Sequence, residues 1–235
     1  MNSNPQDGTS VKKYGLAFHT ATPELGLAIS NFAGDSRCQT WNLGRSLATD
    51  LHQHLVEFIG PQTWADLAFI AVAKGPGGFT GTRMGMVTAR TLAQQLDIPV
   101  FAISTLAAVA WAQPPQPPLS KGGLLSAGPP LASEGLLSIA LQMPAQRGQL
   151  FGAVYSVNKD SGLTELFPDT VMTAESWQEK LESWENSYQL IEVGSELGWS
   201  VSSVLELAYL QWKQGSRPDW SGALPFYGQH PVKGH

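Results

Sequence analysis

Residues Lys74–Leu96 read KGPGGFTGTRMGMVTARTLAQQL. Four glycines fall within the seven residues 75–81, and helical spacing then runs without a break to Leu96. Just upstream, LAFIAVA at 67–73 is too short and too uniformly apolar for a surface helix, and suits a strand buried on both faces. A buried strand, a glycine loop and a helix in that order belong to an α/β fold. Such a loop can cradle a phosphate, because backbone N–H groups at a helix N-terminus point outward and glycine lets the ligand approach. As a stand-alone nucleotide motif the signal is weak. No Lys-Ser/Thr pair follows at P-loop spacing, and Thr80 stands where a dinucleotide fingerprint would place its last glycine after Gly75 and Gly77. The alternative is a turn that aims the helix: Pro76 keeps Gly75 out of helical space, and Gly77 and Gly78 allow positive φ.

Within the helix, Gly81, Gly85, Ala89 and Ala93 recur every fourth residue and line one nearly straight stripe. An interior glycine costs about 1 kcal/mol against alanine, so Gly85 calls for a packing reason. Small residues at this spacing let another backbone come close. Spacing alone leaves open whether that backbone belongs to a partner or to the same chain. The face carrying Met84, Thr88, Leu92 and Leu96 can pack on the sheet.

Working outward, YGLAFHT, LGLAISN and RCQTWN read as a three-strand meander separated by turn residues. RSLATDLHQHLVEFIG puts Leu47, Leu51, Leu55 and Phe58 at helical spacing ahead of Gly60 and Pro61. PVFAIS supplies another buried strand, and Thr105 can cap the helix LAAVAWA. From Gln113 the texture turns to QPPQPPLSKGGLLSAGPP, which cannot sustain a helix or a ladder and reads as an exposed insertion, 113–131, either a polyproline ligand or a linker. The pattern then restarts. LLSIALQM, QLFGAVYSV and LTELFPDTVM form a second strand set, Thr173–Trp184 a helix, YQLIEV a strand, and Ser200–Gln214 a helix ended by Gly215. The expected organisation is a flexible start (1–12), a first lobe (13–112), the insertion, a second lobe (132–222) and a tail (223–235). Each lobe is a mixed sheet with flanking helices.

Composition bounds the function. The chain has 235 residues, is 43% hydrophobic, and carries a net charge of -5 with 14 Lys plus Arg, which argues against a wide phosphate-backbone footprint of its own. Cys38 is the single cysteine, so no internal disulfide forms and a reducing compartment is the default. The polar start MNSNPQDGTSVKK has no apolar core, and no run approaches the roughly 20 residues that span a bilayer. The expectation is a cytoplasmic protein without a membrane contact.

The segment GPGGFTGTRMG resembles the G-P-G-S-F-T-G-x-R-x-G signature of the TsaB (YeaZ) family, with STLAAVA following at the family's distance and HTAT similar to its D-T-A-T. The resemblance covers the chain outside the insertion. It implies a two-lobed actin-like, Hsp70-like ATPase (ASKHA) fold and a role in forming N6-threonylcarbamoyladenosine beside the anticodon of tRNA. It further implies a TsaD-type partner that carries the catalysis and a TsaE-type ATPase reached through the complex. On this reading tRNA is met only indirectly, and the chain alone is either a homodimer or a monomer.

Departures from the family pattern shape the mechanism. His19 stands where nucleotide-binding relatives keep a metal-holding acid, and an imidazole is a poor magnesium ligand. Pro144 and Gln146 replace the charged residues of a D-A-R segment, and Gln229 replaces the arginine of a P-x-Y-x-R pattern whose Pro225 and Tyr227 are kept. His52 and His54 sit two apart on a helix and cannot clasp one metal. Ser36, Ser46 and Ser104 lack a nucleophile-elbow context. Trp177, Trp184, Trp199 and Trp212 fall at helix positions or flanks and read as core. The resulting expectation is a non-catalytic subunit with no cofactor or metal. Gly81, Gly85, Ala89, Ala93 and Arg83, with the preceding helix, would form the partner face, and Gly75, Pro76, Gly77, Gly78, Phe79 and Thr80 would shape it. His19, Thr20 and Thr22 would mark a relic nucleotide site. The runner-up is an active phosphotransferase with Thr20, Thr22 and the glycine loop about the phosphates, and a third reading is a homodimeric binding protein unrelated to tRNA.

Overall fold

The structure, a computed structural model, describes residues 13–113, 138–158 and 161–228. Most of the insertion and Gln229 lie outside the described residues.

The first sheet is built around β1 (Tyr14–His19) and has the order β3-β2-β1-β4-β5. β2 (Glu24–Ser30) and β3 (Ser36–Asn42) continue it as an antiparallel meander. β4 (Leu67–Ala73) and β5 (Val100–Ile103) run parallel to β1 on its other side. β4 is the LAFIAVA run, and its burial on both faces explains its lack of alternation.

Period-two alternation sorts the sheet's residues into two unlike faces. Leu16, Phe18, Leu27, Ile70 and Val72 point to α1 (Leu47–Ile59) and α2 (Phe79–Leu96), which bury Leu51, Leu55, Met86, Ala89 and Ala93 against them. Fully burying a side chain such as Met86 contributes roughly 2 kcal/mol. The other face combines the small residues Ala17, Ala28, Ala71 and Ala73 with Phe69, Phe101 and Ile103, and receives α3 (Thr105–Ala112) and α5 (Val201–Lys213). Gly26 lies so close to the Gly198 carbonyl and Val201 that a Cβ there would overlap them. α3 is buried on every side from Thr105 to Trp111, as a helix between two sheets must be. Its cap is Ser104, whose Oγ accepts from the Ala107 N–H at 3.1 Å, so Thr105 is the first helical residue and not the cap expected from sequence.

The second sheet has the order β8-β7-β6-β9: β6 (Ser138–Pro144), β7 (Gln149–Asn158), β8 (Gly162–Thr173) and β9 (Tyr188–Glu192). β6 pairs antiparallel with β7 and parallel with β9, repeating what β1 does with β2 and β4. α4 (Ala174–Glu182), capped by Thr173, lays Trp177 on Ala140 and Val154. The shared plan of the two halves therefore holds at the level of strand order. One boundary differs from expectation. α5 falls within the second lobe's span, yet packs on β1, β2, β4 and β5 of the first sheet. The small residues of that sheet's inner face make room for it.

Residues 223–228 then strap the lobes together. The Phe226 N–H donates to the Lys74 carbonyl at 2.7 Å, and Tyr227 stacks on Phe79 with ring centroids 4.6 Å apart. Phe226 also meets Phe151 of β7 edge to face.

Candidate functional site

β1 and β4 are parallel neighbours, so the turn after His19 and the glycine loop after Ala73 leave the sheet at the same edge. There they close on each other. The Thr20 hydroxyl donates to the Gly81 carbonyl at 2.8 Å, and the Gly78 N–H donates to the Ala21 carbonyl at 2.7 Å. A Cβ on Gly77 would overlap the Ala21 carbonyl, one on Gly81 the Thr20 carbonyl, and one on Gly85 the Thr20 hydroxyl. The close approach that the stripe makes possible is therefore used by the chain's own β1–β2 turn. Ala89 and Ala93 are fully buried in the first core.

This corrects the expectation that Gly81, Gly85, Ala89 and Ala93 meet a partner. The side chains that leave α2 outward are Phe79, Thr80, Arg83, Val87, Thr91, Gln94 and Gln95. Of the residues assigned to the partner face, only Arg83 is exposed. Met84, Leu92 and Leu96, expected to lie opposite the stripe on the sheet, are half-buried flanks of the same core. Val87 at 54% exposure, Phe79 at 40% and, on α1, Val56 at 63% are large apolar residues that these two helices present outward. Sequence reading passed over Val87 and Val56, although each sits among polar residues on a face opposite the leucines or alanines.

The loop differs from expectation in detail. Gly75, not Gly77 or Gly78, takes positive φ, at +98°, while Gly78 has φ -64° and ψ 127°. The Gly75 carbonyl accepts from the Thr105 N–H at 2.8 Å, which ties the loop to the start of α3. Pro76 is buried, and Phe79 and Thr80 are exposed.

His19, Thr20 and Thr22 do come together at this edge, all of them buried. Neither ring nitrogen of His19 has a protein partner, and burial lowers its pKa to about 4, so the imidazole is neutral near pH 7. The Thr22, Thr82 and Thr105 hydroxyls are likewise buried without a protein partner. This set does not fit a magnesium–phosphate group. The Gly78 amide and Thr20 hydroxyl are engaged by main-chain carbonyls, and His19 offers no carboxylate oxygen to the cation. In the second lobe, Pro144 and Gln146 flank the tight turn between β6 and β7.

Other candidates resolve simply. His54 stacks on Trp41 at 4.6 Å and His52 is exposed. Trp177 is core, as expected, whereas Trp199 is 48% exposed and donates only to the Glu196 carbonyl, at 2.9 Å. Among the described residues no group of three or more His, Cys, Asp or Glu is placed to hold a metal, and no helix is long and apolar enough to cross a membrane.

A second polar cluster, absent from the sequence reading, lies between the lobes. The buried Tyr155 hydroxyl donates to Asp169 Oδ1 at 2.8 Å and sits 3.3 Å from Ser104 Oγ. Burial raises the Asp169 pKa, while hydrogen bonds from Ser104 and Tyr155 and then the nearby Lys74 charge oppose the rise. No motif could have announced it, because its members come from four separate elements.

Residues 56–128 match the family model described as TsaD, tRNA N6-adenosine threonylcarbamoyltransferase. The tRNA threonylcarbamoyladenosine biosynthesis protein TsaB of Bacillus subtilis (strain 168) is 35% identical over 117 residues, 50% of this chain and 42% of that protein. TsaB of Buchnera aphidicola subsp. Acyrthosiphon pisum is 25% identical over 132 residues, 56% of this chain and 52% of its own. This chain is similar to TsaB proteins. Its matches span about half or less of those relatives' own length. YeaZ from Pseudomonas aeruginosa has the same fold, with a TM-score of 0.65, 18% identity, and coverage of 91% of this chain and 100% of that one. A Pseudomonas aeruginosa protein described as similar to peptidase YeaZ superposes with a TM-score of 0.68 at 19% identity, covering 92% and 100%. The fold of this chain is thus that of these two solved structures.

Proposed function

We propose that this TsaB-like chain is a non-catalytic subunit that binds a TsaD-type threonylcarbamoyltransferase and supports formation of N6-threonylcarbamoyladenosine in tRNA. The observation that carries the reading is the closure of the glycine loop on the β1–β2 turn. Where a nucleotide-binding relative would leave phosphate space, the Thr20 hydroxyl and Ala21 carbonyl fill it with hydrogen bonds to Gly81 and Gly78. The buried, neutral His19 supports the same conclusion. Function then resides in a surface. The outward faces of α1 and α2, with Val56, Arg83 and Val87, are the face we assign to the partner, because exposed branched apolar side chains on adjoining helices favour association. The TsaE-type ATPase and tRNA are reached through that partner.

The test is reconstitution. Purified chain, a TsaD-type protein, a TsaE-type ATPase, tRNA and threonylcarbamoyl-adenylate should yield modified tRNA, and omission of this chain should abolish the product. Full product in its absence would contradict the reading.

A further inference from the structure

A cavity of about 310 Å³ opens between the lobes, lined among others by Lys74 after β4, Ser104 before α3, Tyr155 of β7, Glu165 of β8, and Leu207 and Leu210 of α5. No residue of the glycine loop, the β1–β2 turn or the β6–β7 turn lines it. It is separate from the glycine-loop edge and takes Ser104 and Tyr155 from the second polar cluster.

We propose that this cavity binds a small zwitterion of amino-acid size, its carboxylate on the Lys74 side and its ammonium on the Glu165 side. Three observations carry the assignment. Lys74 and Glu165 have opposite charges and line one cavity, yet no ion pair or hydrogen bond joins either side chain to a partner among the described residues. Two opposite charges that face a common space without touching leave room for a ligand of matching polarity between them. The polar wall is also built and fixed: Tyr155, 1% exposed, and Ser104, 8% exposed, are held in a chain that ends on Asp169. Tyr155 and Ser104 both hydrogen-bond the Asp169 carboxyl, so Lys74 is the cation left to face an incoming carboxylate. Finally, Leu207 and Leu210 give the same cavity an apolar side for the ligand's carbon atoms. A cavity near the lower end of the ligand-pocket range, roughly 300 to 1,000 Å³, suits an amino acid and not a nucleotide.

The experiment uses the full chain. Each free L-amino acid is screened singly by thermal shift at millimolar concentration, and the strongest is titrated by calorimetry. It is then compared with two isosteres, one lacking its carboxylate and one lacking its amine. The expected result is saturable binding of one molecule per chain, weakened by about tenfold or more when either charge is removed from the ligand. Lys74→Met and Glu165→Gln should each weaken it by a similar factor while melting like the parent. Absence of binding by every amino acid would overturn the proposal. So would equal binding of a single-charge isostere, or unchanged binding in both variants. If a variant fails to fold, the isostere comparison on the unaltered chain decides alone.

Discussion

The Thr20 hydroxyl donates to the Gly81 carbonyl at 2.8 Å across 61 residues of sequence, and the same oxygen lies where a Gly85 side chain would begin. The consequence for Gly85 is direct. Gly85→Ala would gain about 1 kcal/mol of helix propensity, but overpacking costs about 1–3 kcal/mol, so the variant should be destabilised. Gly85→Leu should lose more. Because the obstacle is Oγ1, Thr20→Ala should recover part of the Gly85→Ala loss. A double-mutant cycle by chemical denaturation measures the coupling, and strict additivity would place the obstacle elsewhere.

On the outer side of the same helix the expectation reverses. Val87→Arg and Val56→Arg replace exposed side chains and should leave stability within about 0.5 kcal/mol of the parent. Co-elution with a TsaD-type protein on size exclusion should be lost in the pair. Retained co-elution would move the partner face off α1 and α2.

Much of this fold could be read from sequence. LAFIAVA declared a buried strand by its uniform apolarity, and the glycine-to-helix transition located α2, whose observed start is Phe79. The stripe itself was legible but its direction was not. Small residues every fourth position signal close approach by some backbone, and nothing local says that Thr20, distant in sequence, supplies it. The return of α5 to the first sheet was hidden for the same reason, since a helix pattern does not name the sheet that it covers. The Tyr155, Asp169 and Ser104 cluster arises only when β7, β8 and the start of α3 meet.

His19 makes stability depend on pH. Its folded pKa of about 4 lies below the ordinary 6.5, so between those values the unfolded chain binds a proton that the folded chain excludes. Stability should therefore fall as pH drops from 6.5 towards 4, by roughly 3 kcal/mol in total, and the His19 contribution should be flat below that window. His19→Leu should remove this component from urea titrations taken at a series of pH values. An unchanged slope in that variant would show that His19 is not the group responsible.

The strap across the lobes should matter to the whole molecule. Gly228 has φ +60°, and a Cβ there would crowd Phe151 and Val171 of the second lobe. Gly228→Val forces a branched residue into the left-handed region and into that contact, and should cost about 1–3 kcal/mol. A thermal melt equal to the parent's would mean that the strap does not hold the lobes.

The closed glycine loop is tested most directly by isothermal titration of the purified chain with Mg-ATP. With the Thr20 hydroxyl on Gly81, the Gly78 amide on Ala21 and a neutral His19 in place of an acid, the expected result is no saturable heat at millimolar nucleotide. Saturable binding that is lost in Thr20→Val, which removes the hydroxyl, would contradict it.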